Sequence, residues 1–270
     1  MATGTSGPGG RPALGDGIAG QRVLVTAGGS GIGRAIADML IDYGARVHVC
    51  DVSDRFLADF AAAHPDASAT LADVADEAAV ERLFADVGER LGGLDALVNN
   101  AGIAGPTGPV EEMTPTDWRR TIDVCLVGQF LCTRLAVPML KAAGGGSIVN
   151  ISSAAGRLGY AFRTPYAAAK WGVVGFTESL AKELGPTNIR VNAILPGIVA
   201  GPRIESVIAA RAAQLGVSHA EMERRYLENV SLRRMVTADD CAATCAFLLS
   251  RAGSAISGQS IGVCGNVETI

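Results

Sequence analysis

The chain carries no surplus of positive charge: 23 Lys and Arg stand against 27 Asp and Glu over 270 residues, a formal net charge of -4. No basic stripe disturbs that balance, which argues against a nucleic-acid partner and against an anionic membrane surface. Long apolar runs are missing too. The longest, Val124 to Leu140, is broken by Gln129 and Arg134, and nothing reaches the ~18 uninterrupted apolar residues of a spanning helix. The first twenty residues hold seven Gly and two Pro with no apolar core region, which excludes a secretory signal; Met1 to Gly17 reads as a disordered leader. The six cysteines (Cys50, Cys125, Cys132, Cys241, Cys245 and Cys264) lie scattered in apolar runs, with no His at metal spacing. They read as reduced core thiols of a cytoplasmic protein. Cys241 and Cys245, at helical i, i+4, lack the two further ligands a zinc site needs, so no metal is expected.

What the chain does have is apolar mass. At 49% hydrophobic and 19% charged residues, a chain of this length buries roughly three quarters of its unfolded surface without a disulfide or a metal. Short β-branched runs at 22–26, 46–50, 69–72, 94–98, 147–151, 190–195 and 260–264 alternate with amphipathic stretches near 31–43, 53–63, 76–91, 116–142, 165–185 and 238–250. Strand and helix repeating every ~25 residues means βαβ units and a parallel sheet covered on both faces. The reading is one doubly wound α/β domain of Rossmann type over 18–270. The stretch 201–236, rich in Arg and Glu, breaks the rhythm and reads as two helices inserted as a lid.

Polar and Gly-rich residues gather just after the strands, where an open α/β sheet binds its ligands. From Thr26 to Gly33 a Gly-rich turn, with Gly28, Ser30, Gly31, Ile32 and Gly33, joins a strand to a helix. Glycines there let backbone amides and a helix N-terminus approach a pyrophosphate. Twenty positions after Gly31, Asp51 closes the second strand, placed to accept both hydroxyls of an adenosine ribose and to repel a 2′-phosphate. Tyr166 and Lys170 stand at i, i+4 on one helix face, and an ammonium beside a phenol favours the phenolate, the form that takes a proton from an alcohol. Ser153 lies thirteen residues before Tyr166, with a hydroxyl able to donate to a substrate oxygen.

With these residues in this order, the chain resembles the short-chain dehydrogenase/reductase family over roughly residues 18–266. The turn from Thr26 matches the family's Thr-Gly-x-x-x-Gly-x-Gly element except that Ala27 replaces the first Gly. Asn99 to Gly102 match its Asn-Asn-Ala-Gly element, and Ser153, Tyr166 and Lys170 fall on its catalytic positions. The resemblance implies seven parallel strands and a homotetramer paired through the helices 116–142 and 165–185. It implies adenine contacts from Asp73 and Val74, cofactor contacts from Asn100, Ala101 and Gly102, and a loop of Pro196, Gly197, Ile198 and Val199 beside the nicotinamide. The activity it implies is NAD-dependent interconversion of a secondary alcohol and a ketone. Tyr166 would be the acid/base, Lys170 would hold the nicotinamide ribose, and no membrane or nucleic acid would take part.

Besides Ala27, the chain departs from the family at two places. Cys125 stands where the family has an Asn that seats a water of the proton relay, and Gly201 stands where it has a Thr. These departures motivate a rival, a catalytically weakened NAD-binding sensor or scaffold. A nucleotide-sugar epimerase would need a larger substrate region than 201–236. His48, His64 and His219 lack consistent partners. Arg203, Arg211, Arg224, Arg225, Arg233 and Arg234 read as a solvated helical face, from which one or two could turn inward to a substrate carboxylate.

Overall fold

The computed structural model describes residues 14–267. Seven parallel strands form one sheet in the order β3-β2-β1-β4-β5-β6-β7. They are β1 (Arg22–Thr26), β2 (Arg46–Asp51), β3 (Ser68–Leu71), β4 (Ala96–Asn99), β5 (Gly146–Ile151), β6 (Ile189–Pro196) and β7 (Ser260–Val263). The helices are α1 (Gly31–Asp42), α2 (Asp54–Ala63), α3 (Glu77–Leu91), α4 (Pro115–Ile122), α5 (Gly128–Ala142), α6 (Thr164–Leu184), α7 (Pro202–Leu215), α8 (His219–Glu228) and α9 (Ala238–Leu249). Strands and helices thus fall within a residue or two of the expected runs.

Burial on both faces explains why the central strands read as unbroken apolar runs. Along β1, Leu24 packs into one core with Leu97, Ile148 and Val191, covered by α3, α5 and α6. Its neighbours Val23 and Val25 face the other core, with Val49, Val98 and Val149 under α1 and α9. The edge strand β3 alternates half-buried and exposed residues, as one covered side requires.

The chain order reverses between β1 and β4, which opens a crevice at their carboxyl ends. Thr26 closes that junction from below. Its Oγ1 accepts from the amides of Asn100 (2.9 Å) and Ala101 (3.0 Å), while Asn100 Nδ2 donates to the Thr26 carbonyl at 3.0 Å. A second buried chain of side chains ties the sheet to its helices. Asn99 Nδ2 donates to Thr133 Oγ1 (3.0 Å) and Asn150 Oδ1 (2.9 Å), and Asn150 Nδ2 donates to Thr177 Oγ1 (2.9 Å).

The expected leader falls mostly at 1–13, outside the described residues. From Leu14 the chain already follows turns against the domain. The Asp16 carbonyl accepts from Arg251 N at 2.8 Å, and Ile18 is fully buried, contacts that composition alone does not announce. α4 and α5 run on through a π-helical turn at Asp123–Val127 into one helix, Pro115–Ala142, long and apolar enough to cross a membrane. One face of it packs in the core, where Cys125, Cys132 and Ala136 are fully buried and Gln129 reaches the end of β5. Among the described residues all six cysteines are free thiols, and burial pushes Cys50 and Cys241 up to about 12.

His48, central in β2, is buried between Ser68 Oγ (2.8 Å) and Thr70 Oγ1 (3.0 Å) of β3. Burial lowers its imidazole from 6.5 to about 4. The unfolded chain therefore takes up this proton near its ordinary range, whereas the folded chain resists until about 4. The contribution is complete above pH ~6.5 and is lost as the pH falls toward 4, by ~3 kcal/mol. Denaturant midpoints at pH 7 and pH 4 should fall less for His48→Gln than for the unsubstituted protein; equal falls would contradict this assignment.

Candidate active site

The Gly-rich turn sits at the junction of β1 and α1. Gly31 has φ 56°, and a side-chain carbon on Gly33 would lie 2.2 Å from the Ala27 carbonyl, so both positions require glycine. Ala27 itself adopts φ 49°, a left-handed conformation that costs a non-glycine residue ~1 kcal/mol and that the family's glycine avoids. Ser30 begins α1 without capping it by its side chain, and the first turn holds no acid. Free amides and helix dipole thus face the crevice, the arrangement that suits a pyrophosphate.

Asp51 is 6% exposed. Its Oδ2 accepts from Gly29 N and its Oδ1 from Ser53 N, both at 3.2 Å, which fixes the carboxylate against the turn. Asp73 accepts from Ala75 N at 3.0 Å and pairs with Arg120 of α4 at 2.7 Å, while Val74 is buried against Gly128. Gly197 N donates to the Val263 carbonyl at 2.9 Å, and Val199 bridges to Val236, so the loop from Pro196 to Val199 is clamped beneath the lid.

Beyond β5, Ser153 caps a short turn, its Oγ accepting from Ala155 N at 3.2 Å. That turn packs on α6, which carries Tyr166 and Lys170. Lys170 is 3% exposed, and its Nζ donates to the Ile151 carbonyl at 2.8 Å and lies 5.7 Å from the centre of the Tyr166 ring. Among the described residues no carboxylate pairs with it. Gln129 Nε2 shares the same carbonyl at 3.3 Å, and Ser152 Oγ donates to the Lys170 carbonyl at 2.8 Å. The sequence reading missed Gln129, Ser152 and the Ile151 carbonyl, since a backbone acceptor leaves no trace in residue type.

Arg163 was missed as well. It precedes Tyr166 by one helical turn, a spacing that could have drawn notice. It is 5% exposed, its guanidinium carbon lies 4.9 Å from the centres of both the Tyr160 and Tyr166 rings, and it donates to the Ala104 carbonyl at 2.6 Å. Of the six lid and neighbouring arginines, Arg224 pairs with Glu221 and Glu228 and Arg234 with Asp240 at the surface. Arg233 donates to the Leu227 carbonyl. Arg203 crosses to the Gly102 carbonyl at 2.9 Å, holding the start of α7 over the crevice, and Arg211 and Arg225 line a cavity.

Cys125 lies fully buried in the π-helical turn. Its sulfur accepts from Ile103 N and its thiol donates to the Ile103 carbonyl, each at 3.4 Å, so it fastens the loop after β4 to the long helix.

A family model described as Enoyl-(Acyl carrier protein) reductase matches residues 26–266. The chain is 38% identical over 234 residues to levodione reductase of Leifsonia aquatica, covering 84% of this chain and 86% of the relative. It is 44% identical over 198 residues to trans-4-hydroxycyclohexanecarboxylate dehydrogenase of Sinomonas cyclohexanicum, covering 69% and 75%. Two crystal structures superpose with a TM-score of 0.89: an actinorhodin polyketide ketoreductase with NADPH, at 34% identity and covering 93% and 98%, and an NAD+-bound xylitol dehydrogenase, at 28% identity and covering 93% and 100%.

With both of its weak hydrogen bonds spent on Ile103, Cys125 serves packing. Cys125→Ala should cost ~1 kcal/mol of stability in denaturant melts, through a small cavity, and change turnover less than about threefold. A tenfold rise in turnover on Cys125→Asn would show instead that the thiol interrupts a proton path.

Proposed function

The chain belongs to the short-chain dehydrogenase/reductase family, and we propose that within this family of nicotinamide-dependent alcohol and ketone oxidoreductases it uses NAD to interconvert a secondary alcohol and a ketone. The observation that carries this reading is Lys170. A buried ammonium that no carboxylate among the described residues pairs with is costly, and it stands one turn along α6 from Tyr166, 5.7 Å from the centre of its ring, beside the group that would exchange a proton with the substrate. Arg163 adds a second positive charge at the same ring.

In oxidation, the Tyr166 phenolate accepts the hydroxyl proton of the substrate as the carbonyl forms; in reduction, the phenol returns it. Ser153 donates a hydrogen bond to the substrate oxygen. Lys170 steadies the phenolate and reaches the nicotinamide ribose. Ser30, Gly31, Ile32 and Gly33 receive the pyrophosphate on backbone amides; Gly28, whose own amide donates to the Cys50 carbonyl at 3.0 Å, lets the turn lie close on Val49 of β2; and Asp51 receives the adenosine ribose hydroxyls. Asp73 and Val74 border the adenine, Asn100, Ala101 and Gly102 run along the cofactor, and Pro196, Gly197 and Val199 back the nicotinamide. The bound nicotinamide supplies the hydride acceptor or donor.

The fixed Asp51 carboxylate is what supports NAD over NADP, because a 2′-phosphate beside it would meet an uncompensated negative charge. A homotetramer is supported by Trp118, Phe130 and Trp171, which α4, α5 and α6 leave 37%, 48% and 51% exposed. The free core thiols fit a reducing compartment such as the cytoplasm.

The test is NADH formation with a panel of secondary alcohols, substituted cyclohexanols among them. kcat/KM should favour NAD over NADP by more than ~100-fold, and Asp51→Ala should narrow that gap. Equal kcat/KM for the two cofactors would contradict the assignment.

A further inference from the structure

Between the lid and the start of α6 lies a cavity of about 210 Å³, below the usual span of ligand pockets and so room for a compact molecule only. Its wall includes Tyr160, Arg163, Val207, Arg211, Met222 and Tyr226. The lining carries no carboxylate. Arg225 reaches it too, but is already paired with Glu221 at 2.7 Å. Among the described residues Arg211 makes no ion pair; its guanidinium carbon lies 4.9 Å from the centre of the Phe162 ring and it donates to Gln214 Oε1 at 3.2 Å.

Arg163 is the unusual member. Its guanidinium is buried; Nη2 donates to the Ala104 carbonyl at 2.6 Å and Nη1 to Tyr160 Oη at 3.5 Å, but its Nε–H has no acceptor and no carboxylate among the described residues pairs with it. A buried cation left in that state is costly, and a planar guanidinium edge is matched best by a planar carboxylate. The phenols of Tyr160 and Tyr226 add polar character to the same wall. Arg163 also links this cavity to the chemistry, since its guanidinium lies equally near the Tyr160 ring in the cavity wall and the ring of Tyr166.

Resting on the dehydrogenase reading above, we infer that this cavity is an anion subsite and that the substrate is a compact secondary alcohol or ketone bearing a carboxylate. The carboxylate sits against Arg163 and Arg211 while the carbinol faces Tyr166. A substrate of this class brings the charge that the folded protein leaves unanswered.

The test separates binding from turnover. Calorimetric titration of cyclohexanecarboxylate into the NAD-saturated protein should give at least ~10-fold tighter binding than cyclohexanecarboxamide. Arg211→Gln and Arg163→Gln should each remove most of that preference; if Arg163→Gln fails to fold, Arg211→Gln carries the comparison. In turnover, the kcat/KM ratio of 4-hydroxycyclohexanecarboxylate to its amide should fall at least ~10-fold in the same variants. Equal binding of acid and amide, or a preference untouched by Arg211→Gln, overturns the subsite. A purely structural Arg163 would weaken acid and amide alike. Absence of NADH from every alcohol would fail the dehydrogenase reading instead, and the titration would still decide the subsite.

Discussion

The hydrogen bond from Lys170 Nζ to the Ile151 carbonyl joins the last residue of β5 to the second turn of α6. A buried ammonium could not stay there without strong acceptors, and the acceptor is a carbonyl freed where β5 ends. Gln129 shares that carbonyl from the long helix, and Ser152 locks the Lys170 backbone from the strand side. Three elements therefore agree on one position for the ammonium. Tyr166, one turn earlier on α6, is fixed by the same agreement, and Ser153 follows directly from the strand that supplies the carbonyl.

The rest of the fold forms the crevice proposed above to hold the cofactor. The reversal of strand order between β1 and β4 opens the crevice, and Thr26 keeps its two walls in register by accepting the amides of Asn100 and Ala101. Asp51 arrives from the neighbouring strand with both oxygens already bonded to backbone amides. Such a carboxylate would pay little further ordering entropy in meeting the ribose hydroxyls proposed for it. The lid closes the open side, with Arg203 bonded to the carbonyl of Gly102 and Val199 paired with Val236.

Much of this was legible in the sequence because it rests on periodicity and on residue types that serve few other purposes. The apolar runs at β1, β2 and β5 and the glycines at 31 and 33 announce strand, turn and helix directly. Other features were hidden for physical reasons. The Asn99–Asn150 ladder depends on strand register, which pattern alone does not specify between parallel neighbours. The roles of Gln129 and Arg163 come from what their side chains meet across the fold, and a buried arginine looks the same in sequence as a solvated one. Ala27 was visible as a departure, but that it occupies a left-handed conformation, and so carries strain, only the backbone reveals. Cys125 was likewise visible as a substitution, and its pairing with Ile103 explains how a thiol fills that place.

The account stands or falls on Tyr166 as the group that moves the proton. The most direct measurement is turnover of a secondary alcohol by Tyr166→Phe beside NAD binding by the same preparation. Removing the hydroxyl while keeping the ring that Lys170 and Arg163 address should lower kcat by at least ~100-fold and leave the NAD dissociation constant within about threefold. A Tyr166→Phe protein that binds NAD normally and keeps more than about a tenth of the original kcat would contradict it.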